Sequence, residues 1–193
     1  MDIRSEGRRY PRIPVLLDAP SDPEPVRVAR VVDGDTVALA GGERIRLYGI
    51  DAPEKEQARG AEATQALESL VSVAPGSTVL LRRYGMDGYG RTLGGLTLEG
   101  REGEDYLNHE MIRRGWAWAY SKPHDRVKPP RAYINDQLAA RLEHRGLWQD
   151  LFPQNPADFR AERRNRSAAA PKPARKRRRH RAKKPDRSGS DSE

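Results

Sequence analysis

The sequence predicts an α+β fold in which a small five-stranded β-barrel carries a helix inserted after its third strand and further C-terminal helices alongside. Three observations point there. Strand-like apolar runs separated by turn signals fill residues 26–50, a segment of helical period follows, and a second strand pair precedes two stretches that each end in glycine.

Taken in order, Val26-Arg-Val-Ala-Arg-Val-Val32 alternates imperfectly as a strand does, and Thr36 to Leu39 continues after an Asp-Gly turn. Ala40-Gly-Gly42 is a hairpin signal leading into Arg44 to Ile50, which completes a three-strand meander. Ala63, Ala66, Leu67, Leu70 and Val71 recur at helical spacing within 58–73, and Pro75-Gly76 stops that helix. Thr78 to Arg83 and Arg91 to Leu98 form the second strand pair, around the turn Gly85 to Gly90. Tyr106 to Arg114 reads as a helix closed by Gly115, and Ala132 to Arg145 as another closed by Gly146. This order suits a partly open barrel of the OB type. Such barrels host many activities, so the chemistry must be argued from the site.

A chain of 193 residues has room for one domain of about 100–150 residues plus tails. Hydrophobic residues make up 36% against 33% charged, with a mean hydropathy of -0.90, so part of the chain is expected to stay unfolded. No stretch approaches the roughly 20 apolar residues of a membrane span. The lack of cysteine excludes disulfide scaffolds, zinc-thiolate sites, iron-sulfur clusters and thiol nucleophiles.

Charge divides the chain. Residues 160–193 hold 14 Lys and Arg against four acids, a net +10, whereas the remainder carries −2. The run from Lys172 to Lys184 has no apolar face to bury and repels itself, so 160–193 reads as disordered. Its expected target is nucleic acid, through counterion release. A solubilising tail or a nuclear address is the alternative. The domain reading is thus a Pro-rich extension over 1–25, a folded domain over 26–152 and a basic tail over 153–193. No signal peptide is evident after Met1, so the expected location is intracellular, with secretion left open if the true start lies upstream.

Three polar clusters sit where strands end or turn: Asp33-Gly-Asp35-Thr36, Arg46-Leu-Tyr-Gly-Ile-Asp51-Ala-Pro-Glu54 and Tyr89-Gly-Arg91. Together they have the composition of a metal-assisted phosphodiesterase. A hard divalent cation needs several oxygen ligands, and Asp35 and Asp51 on adjacent strand ends provide two carboxylates. Charge on non-bridging phosphate oxygens is neutralised by the planar fork of arginine, here Arg46 and Arg91. Attack by water gains from a carboxylate near the cation yet not consumed by it, and Glu54 fits that place. Taken singly, Asp33-Gly34 is a turn, Asp51 to Glu54 a pair of acids at a helix N-terminus, and each arginine a surface residue. Their complementarity favours the site. His109-Glu110 lacks the second histidine of a zinc-protease helix, because Arg113 stands there.

These three segments, in this order and with the helix start Gly60-Ala-Glu-Ala63 between them, resemble the staphylococcal nuclease family over about residues 26–150. The resemblance implies one calcium ion, or another divalent cation, held by Asp35, Asp51 and the backbone carbonyl of Ala52. Phosphate would be bound by Arg46 and Arg91. It also implies Glu54 as general base and Asp33 as an outer acid orienting water. Tyr89, and less directly Tyr120, resemble the aromatic positions of the nucleotide pocket. The implied function is calcium-dependent endonucleolytic hydrolysis of DNA or RNA with little sequence preference, leaving 3′-phosphates. The implied partner is nucleic acid, with no membrane, no obligate protein partner and a monomeric chain. The alternative is a nuclease-like module that binds nucleic acid with weak or lost catalysis. Departures from the family are Ala52, where threonine is common, Gly88, where the secreted nuclease is basic, and a shortened loop over 55–59.

Overall fold

A computed structural model describes residues 15–72, 78–120 and 128–169. In chain order the strands and helices are β1 (Val15–Leu16), β2 (Glu24–Val26), β3 (Val28–Asp33), β4 (Thr36–Leu39), β5 (Arg44–Leu47), β6 (Ile50–Asp51) and α1 (Gly60–Ser72). They continue with β7 (Val79–Met86), β8 (Thr92–Leu98), α2 (Tyr106–Arg113), β9 (Trp118–Ala119), α3 (Arg131–Leu142), a 3-10 turn (Gly146–Gln149) and α4 (Pro156–Ala169). The mixed α+β class and the inserted helix are as expected from the sequence.

One sheet runs β1-β7-β8-β5-β4-β3, with β2 also on β7, and a small second sheet pairs β6 with β9. The ladder does not close strand to strand. Its two ends are nonetheless one piece of chain, because β2 pairs with β7 while β3, just past Arg27, pairs with β4. The predicted strand 26–32 is therefore a bent corner that serves both ends. Residues 15–25, read as extension, partly join the sheet: Val15 pairs with Met86 and Glu24 with Leu81. An imperfect alternation interrupted by prolines hid these pairings. The predicted helix stop at Pro75-Gly76 lies outside the described residues.

The core forms where the inner sheet face meets α1 and α2. Val37, Ile45, Leu81 and Leu96 of the strands pack with Leu67 and Leu107 of the helices, all fully buried. Burying each such side chain contributes about 1.5–3 kcal/mol. Asn108 fixes α2 to the sheet. Its Oδ1 accepts from Leu96 N–H at 3.1 Å, and its Nδ2 donates to the carbonyls of Tyr48 and Gly94.

The C-terminal segment departs from the sequence reading. Residues 160–169, expected to be disordered, belong to the helix α4, and residues 170–193 of the basic tail lie outside the described residues. The helix begins at an Asn-Pro step: Asn155 Oδ1 accepts the Ala157 N–H at 2.9 Å, Pro156 opens the first turn, and Asp158 faces the positive end of the dipole. Net charge concealed this local signal.

Candidate active site

The antiparallel register of β4 and β5 sets Thr36 opposite Arg46, so Asp35 and Arg46 stand at the same end of the sheet. Leu47 N–H donates to the Asp35 carbonyl at 2.8 Å, tying the two strands there. The chain then reverses through Gly49, whose φ of 75° suits glycine, and β6 carries Asp51 back beside the pair. Arg46 bridges the acids: Nη1 contacts Asp35 Oδ2, and Nη2 donates to Asp51 Oδ1 at 2.7 Å. Asp35 Oδ2 also accepts the Ala52 N–H at 2.9 Å, its Oδ1 accepts from the Thr36 hydroxyl, and Asp35 N–H donates to Asp33 Oδ1.

These charges are buried, with Asp35 and Asp51 only 6% and 3% exposed. Burial pushes the Asp35 carboxyl above its ordinary range, and Arg46 pulls it back in part. Burial likewise opposes the charge on Arg46, but Asp35 and Asp51 outweigh it and hold the guanidinium firmly protonated.

Two glycines let the segments meet. A Cβ on Gly34 would lie 2.7 Å from the Ala52 Cβ and 2.9 Å from that of Ala63, so the turn before Asp35 presses directly on the Asp51 segment and on α1. A Cβ on Gly60 would come 2.0 Å from the Glu54 carbonyl oxygen. The short loop after Glu54 is closed by Gln57, whose N–H donates to the Glu54 carbonyl and whose Oε1 accepts from Glu54 N–H. Gln57 Nε2 donates to the Gln154 carbonyl at 2.6 Å, and Arg59 forms a forked pair with Asp150. The 54–59 loop is thus fastened to the chain that leads into α4.

From α4, Arg160 reaches the same carboxylates. Its Nη2 donates to Asp51 Oδ2 at 2.8 Å, and its Nη1 donates to Glu54 Oε1 at 2.8 Å and Asp51 Oδ1 at 3.2 Å. Asp51 and Glu54 outweigh desolvation and keep this guanidinium protonated. Sequence reasoning missed Arg160 because it was assigned to the unfolded tail. The Asn155-Pro156 helix start was the signal available for it.

Of the residues singled out in the sequence, Asp33, Asp35, Arg46, Asp51 and Ala52 converge by direct contact, and Arg160 joins Glu54 to them. Arg91 is not in that contact network. It stands just before Thr92, which pairs with Ile45 in the parallel β5–β8 ladder, and its Nε donates to Asp87 Oδ2 at 2.7 Å. Tyr89 is 85% exposed, with the Arg91 guanidinium 5.8 Å from its ring centre. Tyr120 follows β9 and donates its N–H to the Gly49 carbonyl.

A family model described as "Staphylococcal nuclease homologue" matches residues 44–150, more than half of the chain. The chain belongs to the staphylococcal nuclease family. An "Uncharacterized endonuclease" of Escherichia coli O157:H7 is 40% identical over 134 residues, covering 67% of this chain and 80% of that protein. A namesake from Haemophilus influenzae is 36% identical over 141 residues, covering 70% and 72%. A "Probable staphylococcal-like nuclease" of Oryza sativa subsp. japonica is 35% identical over 130 residues, covering 67% of this chain and 36% of its own length. Membership in this nuclease family makes the chain a nuclease-like protein whose implied substrate is nucleic acid. No helix among the described residues is long and apolar enough to cross a membrane.

The donor set suits a hard cation in kind: Asp35 and Asp51 offer carboxylate oxygens and the Ala52 backbone a carbonyl. Among the described residues no group of three acidic or histidine side chains is placed to hold a metal ion. A cation here would therefore draw much of its shell from water and substrate oxygens.

Proposed function

We propose that this protein is an endonuclease that hydrolyses phosphodiester bonds of DNA or RNA with low sequence specificity, using one divalent cation, calcium in the first instance. The observation that supports it best is the meeting of two buried aspartates with Arg46, beside the Asp51-Ala-Pro-Glu54 turn. In this reading Asp35, Asp51 and the Ala52 carbonyl hold the cation, and Asp33 orients the Asp35 end of the cluster. The cation supplies positive charge to the scissile phosphate and lowers the cost of ionising nearby water.

The remaining steps belong to side chains of the protein. Glu54 takes a proton from water as the water oxygen bonds to phosphorus in line, and the bond from phosphorus to the 5′ oxygen breaks as that oxygen takes a proton from solvent water. A 5′-hydroxyl and a 3′-phosphate result. Arg46 and Arg91 bind the non-bridging oxygens more tightly as negative charge accumulates. For this Arg91 must exchange Asp87, and Arg46 its Asp35 and Asp51 partners, for phosphate, swaps between oxyanions of similar hydrogen-bonding geometry. Tyr89 and Tyr120 contribute aromatic surface for a nucleotide.

Incubating the full chain with single-stranded DNA and RNA, in calcium and then in chelator, tests the proposal. Cleavage that requires the cation and yields 3′-phosphate ends is expected. Retained binding without cleavage in either condition would assign the chain to the non-catalytic nucleic-acid-binding class instead.

A further inference from the structure

We propose that α4 is a latch on the active site: Arg160 acts as an internal counter-ion that covers Asp51 and Glu54 and competes with a divalent cation for them. The inference rests on the cation site proposed above and concerns its regulation. Three hydrogen bonds from one guanidinium, two of them at 2.8 Å, reach the residue assigned to the cation and the residue assigned as base. Together with Arg46, it places two guanidinium groups against three carboxyl groups, which lowers the attraction left for a dication.

The way α4 is fastened makes the contact reversible. Of residues 156–168 only Pro156 is buried, with Ala157, Phe159 and Ala161 half-buried and 162–168 exposed, so the apolar grip of the helix on the domain is confined to its first turns. Polar contacts hold it: Arg160, the exposed Arg163–Glu56 pair, and Gln57 on the Gln154 carbonyl just ahead of it. The exposed Arg163–Glu56 pair is weak and screened by salt, so the half-buried Arg160 pairs with Asp51 and Glu54 carry most of the polar hold on the helix. A ligand that takes Asp51 and Glu54 from Arg160 would therefore remove the main polar contact that holds the helix. The latch raises the cation concentration at which the site fills.

A purely supporting role for Arg160 predicts the opposite sign, because loosening the 51–54 turn would weaken the cation site. Calcium binding to the full chain is measured by titration calorimetry for wild type, Arg160→Ala and Arg163→Ala, with circular dichroism melts confirming that each is folded. Arg160→Ala is expected to tighten calcium binding by about tenfold or more, and Arg163→Ala to change it by less than about twofold. Equal or weaker binding in Arg160→Ala, or equal tightening in Arg163→Ala, overturns the latch while leaving the cation site intact. No binding by any of the three overturns both. Hydrogen exchange on the wild-type chain gives a test without a variant: calcium should speed exchange of the amides in 156–169, and unchanged or slower exchange contradicts the proposal.

Discussion

At the scale of single residues, Arg46 has two tasks. It is the cation that makes a buried Asp35 and Asp51 tolerable side by side, and it is the proposed phosphate ligand. Removing it leaves uncompensated buried charge, so Arg46→Ala should cost about 3–5 kcal/mol in denaturant unfolding as well as activity. Glu54 is half-buried and its side chain pairs with Arg160, so Glu54→Ser should lower cleavage by about 10²–10⁴-fold with a loss in unfolding of only about 1 kcal/mol. A destabilisation of Glu54→Ser comparable to that of Arg46→Ala would reverse this division of roles. Away from the site, burial raises the Asp105 carboxyl above its ordinary 3.8, despite the Tyr84 hydroxyl that donates to it at 2.5 Å. The folded state then binds that proton more tightly than the unfolded chain does, so this group's contribution to stability falls as pH rises from 3.8 through its folded value. Asp105→Asn lacks that cost. Its melting temperature relative to wild type should therefore climb over the same interval, and a constant difference would refute the assignment. The acids and arginines were legible in the sequence because their types complement one another. The hold of Asp87 on Arg91 was not, since four-residue spacing across a turn leaves no periodic mark.

At the scale of elements, the site is assembled by close approaches that glycine permits. A Cβ on Gly60 at the start of α1 would clash with the Glu54 carbonyl, so Gly60→Ala must displace the Glu54 turn, α1 or both. A shift of about 1 Å in a reacting group can cost about 100-fold in rate. Gly60→Ala is thus expected to lose far more in kcat than in melting temperature, and normal kcat would show that the Glu54 turn is not positioned by this contact. The meander, the inserted helix and the β7–β8 pair were readable from periodicity and turn chemistry. The bend that divides the first strand between β7 and β4 was not readable. It leaves the apolar pattern almost unbroken and is decided by which partner strands are available. Helix α4 was lost for another reason. Its capping signal was present, but the charge run beyond it dominated the reading of the segment.

For the whole molecule, the sheet and its turns bring the acids together, while α4 brings the basic Arg160 to them. Asp150 on Arg59, Gln154 on Gln57 and Arg160 on Asp51 fasten successive points of the C-terminal chain to successive points of the 51–59 segment. Composition alone separates a near-neutral domain from a strongly basic end, and that division is in the sequence. Where the basic end touches the domain is not, because contacts about 100 residues apart in sequence leave no local pattern. In the proposed function the Asp35, Asp51, Arg46 and Glu54 cluster performs cation-dependent phosphodiester hydrolysis. Its most direct test is the cleavage rate of the full chain on single-stranded DNA as free calcium is titrated, beside Glu54→Ser under the same conditions. A rate that saturates with calcium, vanishes in chelator and collapses in the variant is expected. Cleavage that survives chelator, or a Glu54→Ser variant as fast as wild type, would contradict it.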